Sequence, residues 1–431
     1  MVFSNFVNLS LTDGSRRHIS VSASVPVCPA SEPLPSCGVW YVCWNPLSVG
    51  SVPNMSVCHP AEKIPKTIVF RSALKRLYGD GFETHAPTQE DAFPSVLLEN
   101  LTHLGVLSAV LPVKNGGLGL YESLEGMQGL IDLLRVTGRL SLSLGRCIEG
   151  HINVVRLVSL YGSDRQQKDL AALVKRGVLG GIWVTDGAQP VTLEPTATGY
   201  CLNGVKGFCS AVRQVGVALI TARTAQDQDV MVLVPTTEPE RIGKGPGRLT
   251  GMAASGTGAY DFTGVEISAD SIIGQAGDYL RQPEFSAGAW RGSAVALGGM
   301  DALVDLMRQE LRARGRAENP HQQRRIGEAL ILRETASLWV HRAAKAVYGV
   351  HVAPEECAAI VNLARIAVEQ AGVQLLTLVQ QALGLSAFIR GKQVEQTLRD
   401  LATYLRQPAP DETLTEAAAW FVERDWPEET L

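Results

Sequence analysis

The sequence predicts a multidomain α+β protein in which a helical N-terminal domain and a C-terminal helical domain flank a central β domain. Three observations predict it. Apolar residues recur at helical spacing from Ile68 to Gly180, gather into short β-branched runs from Gly181 to about Gln282, and return to helical spacing from about Phe285. The expected divisions are 65–180, 181–282 and 283–431, with 1–64 outside all three.

The 431 residues are 45% hydrophobic and 19% charged with a net charge of −4, an ordinary globular composition that carries no nucleic-acid footprint. No run of eighteen or more apolar residues appears, and Met1 to Ser20 lacks the charged start and apolar stretch of a signal peptide. A cytoplasmic chain without membrane contact is therefore expected. Four of the eight cysteines, Cys28, Cys37, Cys43 and Cys58, stand at spacings of 9, 6 and 15 with no C-x-x-C pair, so the sequence points to no metal site and to reduced thiols. Residues 1–64 are rich in Ser, Val, Pro and Cys, with Pro26, Pro29, Pro33, Pro35, Pro46 and Pro53 breaking any period. They read as a disordered extension, or as one added upstream of a true start at Met55, and 1–54 is expected to be dispensable.

In the first helical part, Leu74, Leu77 and Tyr78 form one stripe, and Val96, Leu97, Leu101, Leu104 and Leu107 another. Pro112 stops the preceding element, and Gly116-Gly117 supply a tight turn. No G-x-G-x-x-G follows a strand, so the glycines read as a loop between helices.

The central part opens with Ile182-Trp183-Val184-Thr185. Asn203-Gly204, between Tyr200-Cys201-Leu202 and Val205 to Phe208, is a hairpin signal. Thr185 thus ends one strand and Ser210 another. Further strands are expected at Val217–Thr221, Val230–Val234 and Tyr260–Ile267. Helical stripes then follow: Met300, Leu303, Val304, Met307, Leu311; Leu332, Ala336, Trp339, Ala343, Val347; and Ile360, Leu363, Ala367, Ala371, Leu375, Leu378. Such wide apolar faces are buried against each other or across a subunit interface.

Several motifs, in order, resemble those of the acyl-CoA dehydrogenases. Leu104–Leu120 is similar to that family's G-L-x-x-x-x-x-P-x-x-x-G-G-x-G run, and Tyr161–Lys168 to its G-S/T-E-E-Q-K turn. Val184-Thr185-Asp186 with Asn203–Ser210 is similar to V-T-E and N-G-x-K-x-W-I-T, and Leu249–Thr257 to G-M-R-G-S-D-T. Phe208, Ser210, Asp186 and Gly256 stand where the family has Trp, Thr, Glu and Asp. The resemblance covers about Ile68 to Ala418. It implies an acyl-CoA dehydrogenase-like fold with a C-terminal four-helix bundle, a homodimer or homotetramer, and a flavin, FAD rather than FMN, between β domain and bundle. The Val184 backbone, the hydroxyls of Thr185 and Ser210, and Phe208 packed on the ring are the implied flavin contacts. Hydrogen-bond donors at the flavin's N1, O2, O4 and N5 edge hold the charge that develops there. Partner-side contacts fall on Arg312, in competition with Arg314 and Arg316, and on Gln323, Gln381 and Gly384.

The family's default reaction, desaturation of an acyl thioester, needs a base for the α-proton. In most members it is a Glu nine residues after the Arg of an R-D pair; Arg399-Asp400 is that pair here, and nine residues on lies Pro408. Some relatives take the base from the first helix of the bundle, where Glu284 is a weak candidate and Asp301 and Asp305 read as polar-face residues. The loop after Asp186 lacks the G-S-D triplet that reaches a pantetheine arm. Two further readings therefore stand beside the dehydrogenase. Flavin monooxygenases of the same fold, served by a partner reductase, need no such base, and Arg399–Tyr404 is similar to their R-[DN]-x-x-T pattern. A catalytically silent relative is the other. Of the histidines, His151, His321, His341 and His351 read as structural, and His151 is the one closest to interest.

Overall fold

The computed structural model describes residues 66–80, 91–245, 249–349 and 352–427. The extension expected at 1–64, with Met55 and its four cysteines, lies outside the described residues, as does His351.

Six helices come first among the described residues: α1 (Lys66–Asp80), α2 (Ser95–His103), α3 (Val106–Ala109), α4 (Leu124–Leu140), α5 (Leu142–Tyr161) and α6 (Asp164–Lys175). Capping chemistry sets their starts. Ser123 and Ser141 accept from Gly126 and Leu144 N–H, and Ser163 with Gln166 closes a capping box on α6. The same Gln166 amide donates to the Asp270 and Ile272 carbonyls, each at 2.7 Å, so the cap also ties helix to sheet. The stripe expected to run unbroken from Val96 to Leu107 is split between α2 and α3, because Gly105 adopts a left-handed φ of 78° that ends the first helix.

The strands are β1 (Leu179–Trp183), β2 (Thr192–Pro195), β3 (Tyr200–Asn203), β4 (Val205–Cys209), β5 (Val215–Arg223), β6 (Asp229–Pro235), β7 (Ile242–Gly243), β8 (Gly258–Asp261), β9 (Val265–Ile267) and β10 (Ile272–Ile273). One sheet has the order β10-β6-β5-β2-β3-β9, with β1 parallel to β5; the other has the order β4-β8-β7. Asn203-Gly204 is not a hairpin. It is the corner where the chain leaves one sheet for the other, since β3 pairs with β2 and β9 while β4 pairs with β8. Gly204 has φ 127°, and a Cβ there would lie 2.3 Å from the Pro190 carbonyl, so close backbone approach demands the glycine. The run Tyr260–Ile267 is divided in the same way, β8 and β9 falling in different sheets on either side of Gly264 at φ 72°.

Five α-helices follow among the described residues: α7 (Glu284–Ala313), α8 (Pro320–Tyr348), α9 (Pro354–Leu383), α10 (Gln393–Tyr404) and α11 (Pro410–Trp420). α4 and α7 cross backbone to backbone. A Cβ on Gly298 would sit 2.1 Å from the Arg135 carbonyl, and one on Gly138 2.1 Å from that of Val295. Asp301, expected on a polar face, is 3% exposed and accepts from Arg135 at 2.5 Å and Arg333 at 2.8 Å. A carboxylate so deep is tolerable because two guanidiniums compensate it. α9 is long and apolar enough to span a membrane by length and composition; here it packs against α7, α8 and α11.

Candidate active site

β1 enters the seam between sheet and bundle and ends at Trp183, whose buried indole N–H donates to the Ser210 carbonyl at 3.1 Å. Beyond it the chain runs beside β4, with Gly207 N–H on the Thr185 carbonyl at 2.9 Å and Asp186 bridged to Lys206. The segments that carry Thr185 and Ser210 therefore meet at one edge. Lys206 fixes that edge from below. It is 1% exposed, and its ammonium reaches the Asp186 carboxylate at 2.5 Å, the Thr221 hydroxyl at 3.1 Å and the Val184 carbonyl at 3.2 Å. Burial pulls its pKa down, and the Asp186 carboxylate opposes that. Phe208 is 49% exposed and holds a left-handed φ of 50°, a strained conformation for a bulky residue that turns its ring outward.

The loop that carries Met252 closes the seam against the bundle. Ser255 and Gly256 carbonyls accept from Ala211 and Val212 N–H at 2.8 and 3.3 Å. On the far side, the Asp400 carboxylate accepts from Met252 N–H at 2.6 Å and Arg399 donates to the Thr250 carbonyl at 2.9 Å. Arg399-Asp400 is thus a clamp between α10 and this loop.

A cavity of about 290 Å³ opens beside Val184. Its walls come from α5 (Arg146, Glu149, Asn153), α7 (Gly288, Ala289, Gly292, Ser293, Ala296), α9 (Arg365, Val368, Glu369) and the end of α10 with its following turn (Tyr404, Pro408). Ser210 lines a smaller adjoining void that shares Arg146 and Ile182 with it. Arg146 and Asn153 both hold Glu149, and Arg291 donates to Asn153 at 2.5 Å, so the floor is a charged, hydrogen-bonded network. Glu149 keeps Arg146 firmly charged, while burial pushes the Tyr279 phenol up to about 12 and Tyr404 higher still.

Pro408 stands in this wall, and α7 offers it Phe285, glycine, alanine and serine, with no carboxylate, among the described residues. Glu284 is placed off the wall, ion-paired to Arg156. Arg312, Gln323, Gln381 and Gly384 are exposed and share the opposite end of the bundle, where Arg314 donates to the Leu383 carbonyl at 3.3 Å. The length of α7 separates them from Phe285 at the cavity by roughly 40 Å, so within one chain they do not reach Thr185. His151 is a structural residue. Its Nδ1 accepts from Gly180 N–H at 2.9 Å and its Nε2 donates to the Leu107 carbonyl at 3.1 Å, and burial lowers its pKa to about 4.

Sequence reasoning passed over Arg146, Glu149, Asn153, Arg365 and Glu369. A signal was there: α5 is apolar almost all round, so the polar residues 146, 149 and 153, at helical spacing inside a buried helix, mark something other than a solvent face.

Helical domain, paired sheets and bundle around a walled seam define the acyl-CoA dehydrogenase fold. Within it, the chain is similar to FMN-bound TdsC, a dibenzothiophene monooxygenase from Paenibacillus sp. A11-2, with a TM-score of 0.73 and 19% identity over 84% of this chain and 98% of that one. It is also similar to butyryl-CoA dehydrogenase from Megasphaera elsdenii, at 0.72 and 17% over 81% and 97%. Among curated proteins, dibenzothiophene monooxygenase of Rhodococcus qingshengii is 25% identical over 192 residues, 41% of this chain and 44% of that protein. Acryloyl-CoA reductase (NADH) of Anaerotignum propionicum is 25% identical over 235 residues, 51% and 58%. The chain thus spans about half the length of the curated relatives it matches. No family model matches it.

Proposed function

We propose that the chain is a flavin-dependent oxidoreductase, and that its reaction is monooxygenation with reduced flavin supplied by a separate reductase. The observation that carries this choice is Pro408 in the cavity wall. A dehydrogenase of this fold needs a carboxylate there or on the first bundle helix to take the α-proton, and the cavity wall has a proline at one place and Phe285, glycine, alanine and serine at the other.

The residues at the seam fit a flavin. The Val184 backbone and the hydroxyls of Thr185 and Ser210 would hold the polar edge of the ring system, and exposed Phe208 would cover part of one face. A bound flavin supplies two-electron transfer and, once reduced, reactivity toward O2. Arg399 and Asp400 keep the loop of Met252 against the bundle. FAD remains the expected form, its adenylate half meeting Arg312, Gln323, Gln381 and Gly384 of a second copy. Release of FMN from the purified protein would remove those four from the site.

Acyl thioester desaturation is the second reading. It is favoured by Glu369, a cavity-wall carboxylate with a buried oxygen Oε2 that has no partner among the described residues. Anaerobic titration of the flavin-loaded chain separates the two. Bleaching by an acyl thioester supports desaturation and overturns our reading; O2 uptake that depends on a reductase and a substrate supports it.

A further inference from the structure

The cavity holds a guanidinium whose hydrogen bonds go to uncharged groups. Arg365 on α9 lines it, half-buried, with Nη1 donating to the Thr413 hydroxyl at 3.1 Å and Nη2 to the Pro408 carbonyl at 2.5 Å. Both partners are neutral. Its Nε is buried and has no acceptor among the described residues. One turn along, Glu369 lines the same cavity but is taken by Arg406 from outside, at 2.8 Å, and its second oxygen is the unpartnered one. By contrast Arg146, the other cavity guanidinium, is neutralised by Glu149. Burial pulls the Arg365 pKa down, and the nearby Glu369 carboxylate opposes that only in part.

An unpaired donor and an unpaired acceptor are costly when buried. One ligand would serve both residues if it carried an oxyanion for the Arg365 fork and a hydroxyl or amine for Glu369. Size points the same way. About 290 Å³ lies at the low end of ligand pockets, which suits a small ligand.

We propose that the cavity binds a small organic acid bearing a hydroxyl or amino group, its oxyanion on Arg365 and its donor on Glu369. This deepens the flavin-enzyme reading by naming the substrate class, yet it is measured as binding, so failure of turnover and failure of recognition are read separately.

The test is calorimetric titration of the full flavin-loaded chain with 3-hydroxybutanoate, 4-aminobutanoate, butanoate and the neutral 3-hydroxybutanamide. The substituted acids are expected to bind, with the amide and the Arg365→Gln variant weaker by about tenfold or more, as for loss of a charge-assisted hydrogen bond. Glu369→Gln is expected to weaken the hydroxy and amino acids while leaving butanoate unchanged. Arg365→Lys keeps the charge but not the fork, and intermediate affinity is expected from it should the Gln variant not fold. Equal binding of acid and amide, or no binding of any acid by folded protein, would overturn the proposal, whatever the chain does with O2.

Discussion

His151 joins α5 to β1 and to α3 through one uncharged ring. Its folded pKa, about 4, lies below the ordinary 6.5, so its contribution to stability is complete above pH 6.5 and is lost as pH falls toward 4. The loss amounts to about 3 kcal/mol, from the size of the shift. Urea unfolding at pH 7.5 and pH 4.5 should show it, and His151→Leu should be less stable at the higher pH and less sensitive to acid. An undiminished acid response in that variant would place the sensitivity elsewhere. This role was hidden in the sequence, where a buried histidine and a catalytic one look alike. So was the role of Asp301, whose two arginine partners come from α4 and α8 and whose burial no helical period announces.

On the scale of elements, α7 uses glycine for two opposite purposes. Toward α4, Gly298 lets backbones touch, and Gly298→Ala should destabilise by about 1–3 kcal/mol through overpacking. Toward the cavity, Gly288 has nothing within 4 Å of a would-be Cβ, so Gly288→Ala should stabilise by about 0.5–1 kcal/mol through helix propensity. Thermal unfolding of the pair checks the signs; two changes of like sign would contradict the packing described. Gly288→Leu should keep the protein folded and cut ligand affinity by filling the cavity. Most elements were legible because their periods are long: the α7, α8 and α9 stripes fall inside single helices. The corner at Gly204 was not. Asn-Gly reads as a two-residue turn, and only the long-range pairing of β3 with β9 and β4 with β8 turns it into a sheet crossing.

For the whole molecule, three of the family motifs legible in the sequence, Val184–Asp186, Asn203–Ser210 and Leu249–Thr257, lie at the seam, whereas the cavity's charged walls come from helices far apart in sequence. Motif reading finds the first kind because its residues are contiguous, and misses the second because convergence is tertiary. A face of the bundle also remains uncovered. Ile331 and Leu338 on α8 are 68% and 65% exposed, and Leu385 after α9 is 87% exposed, near the end that carries Arg312 and Gln381. A second copy on that face would explain both. Ile331→Asp should then halve the particle mass in light scattering and lower flavin retention together; an unchanged mass would argue against a homo-oligomer built there.

The clamp of Met252 by Asp400 gives this chain a built-in reporter. That amide proton is shielded by a carboxylate on another element, and Met252 itself sits in a left-handed turn. Its deuterium uptake should therefore proceed only when strands and bundle part company. Slow labelling at this one position would time the opening of the crevice, and labelling as fast as at the exposed turns would mean the two halves breathe freely.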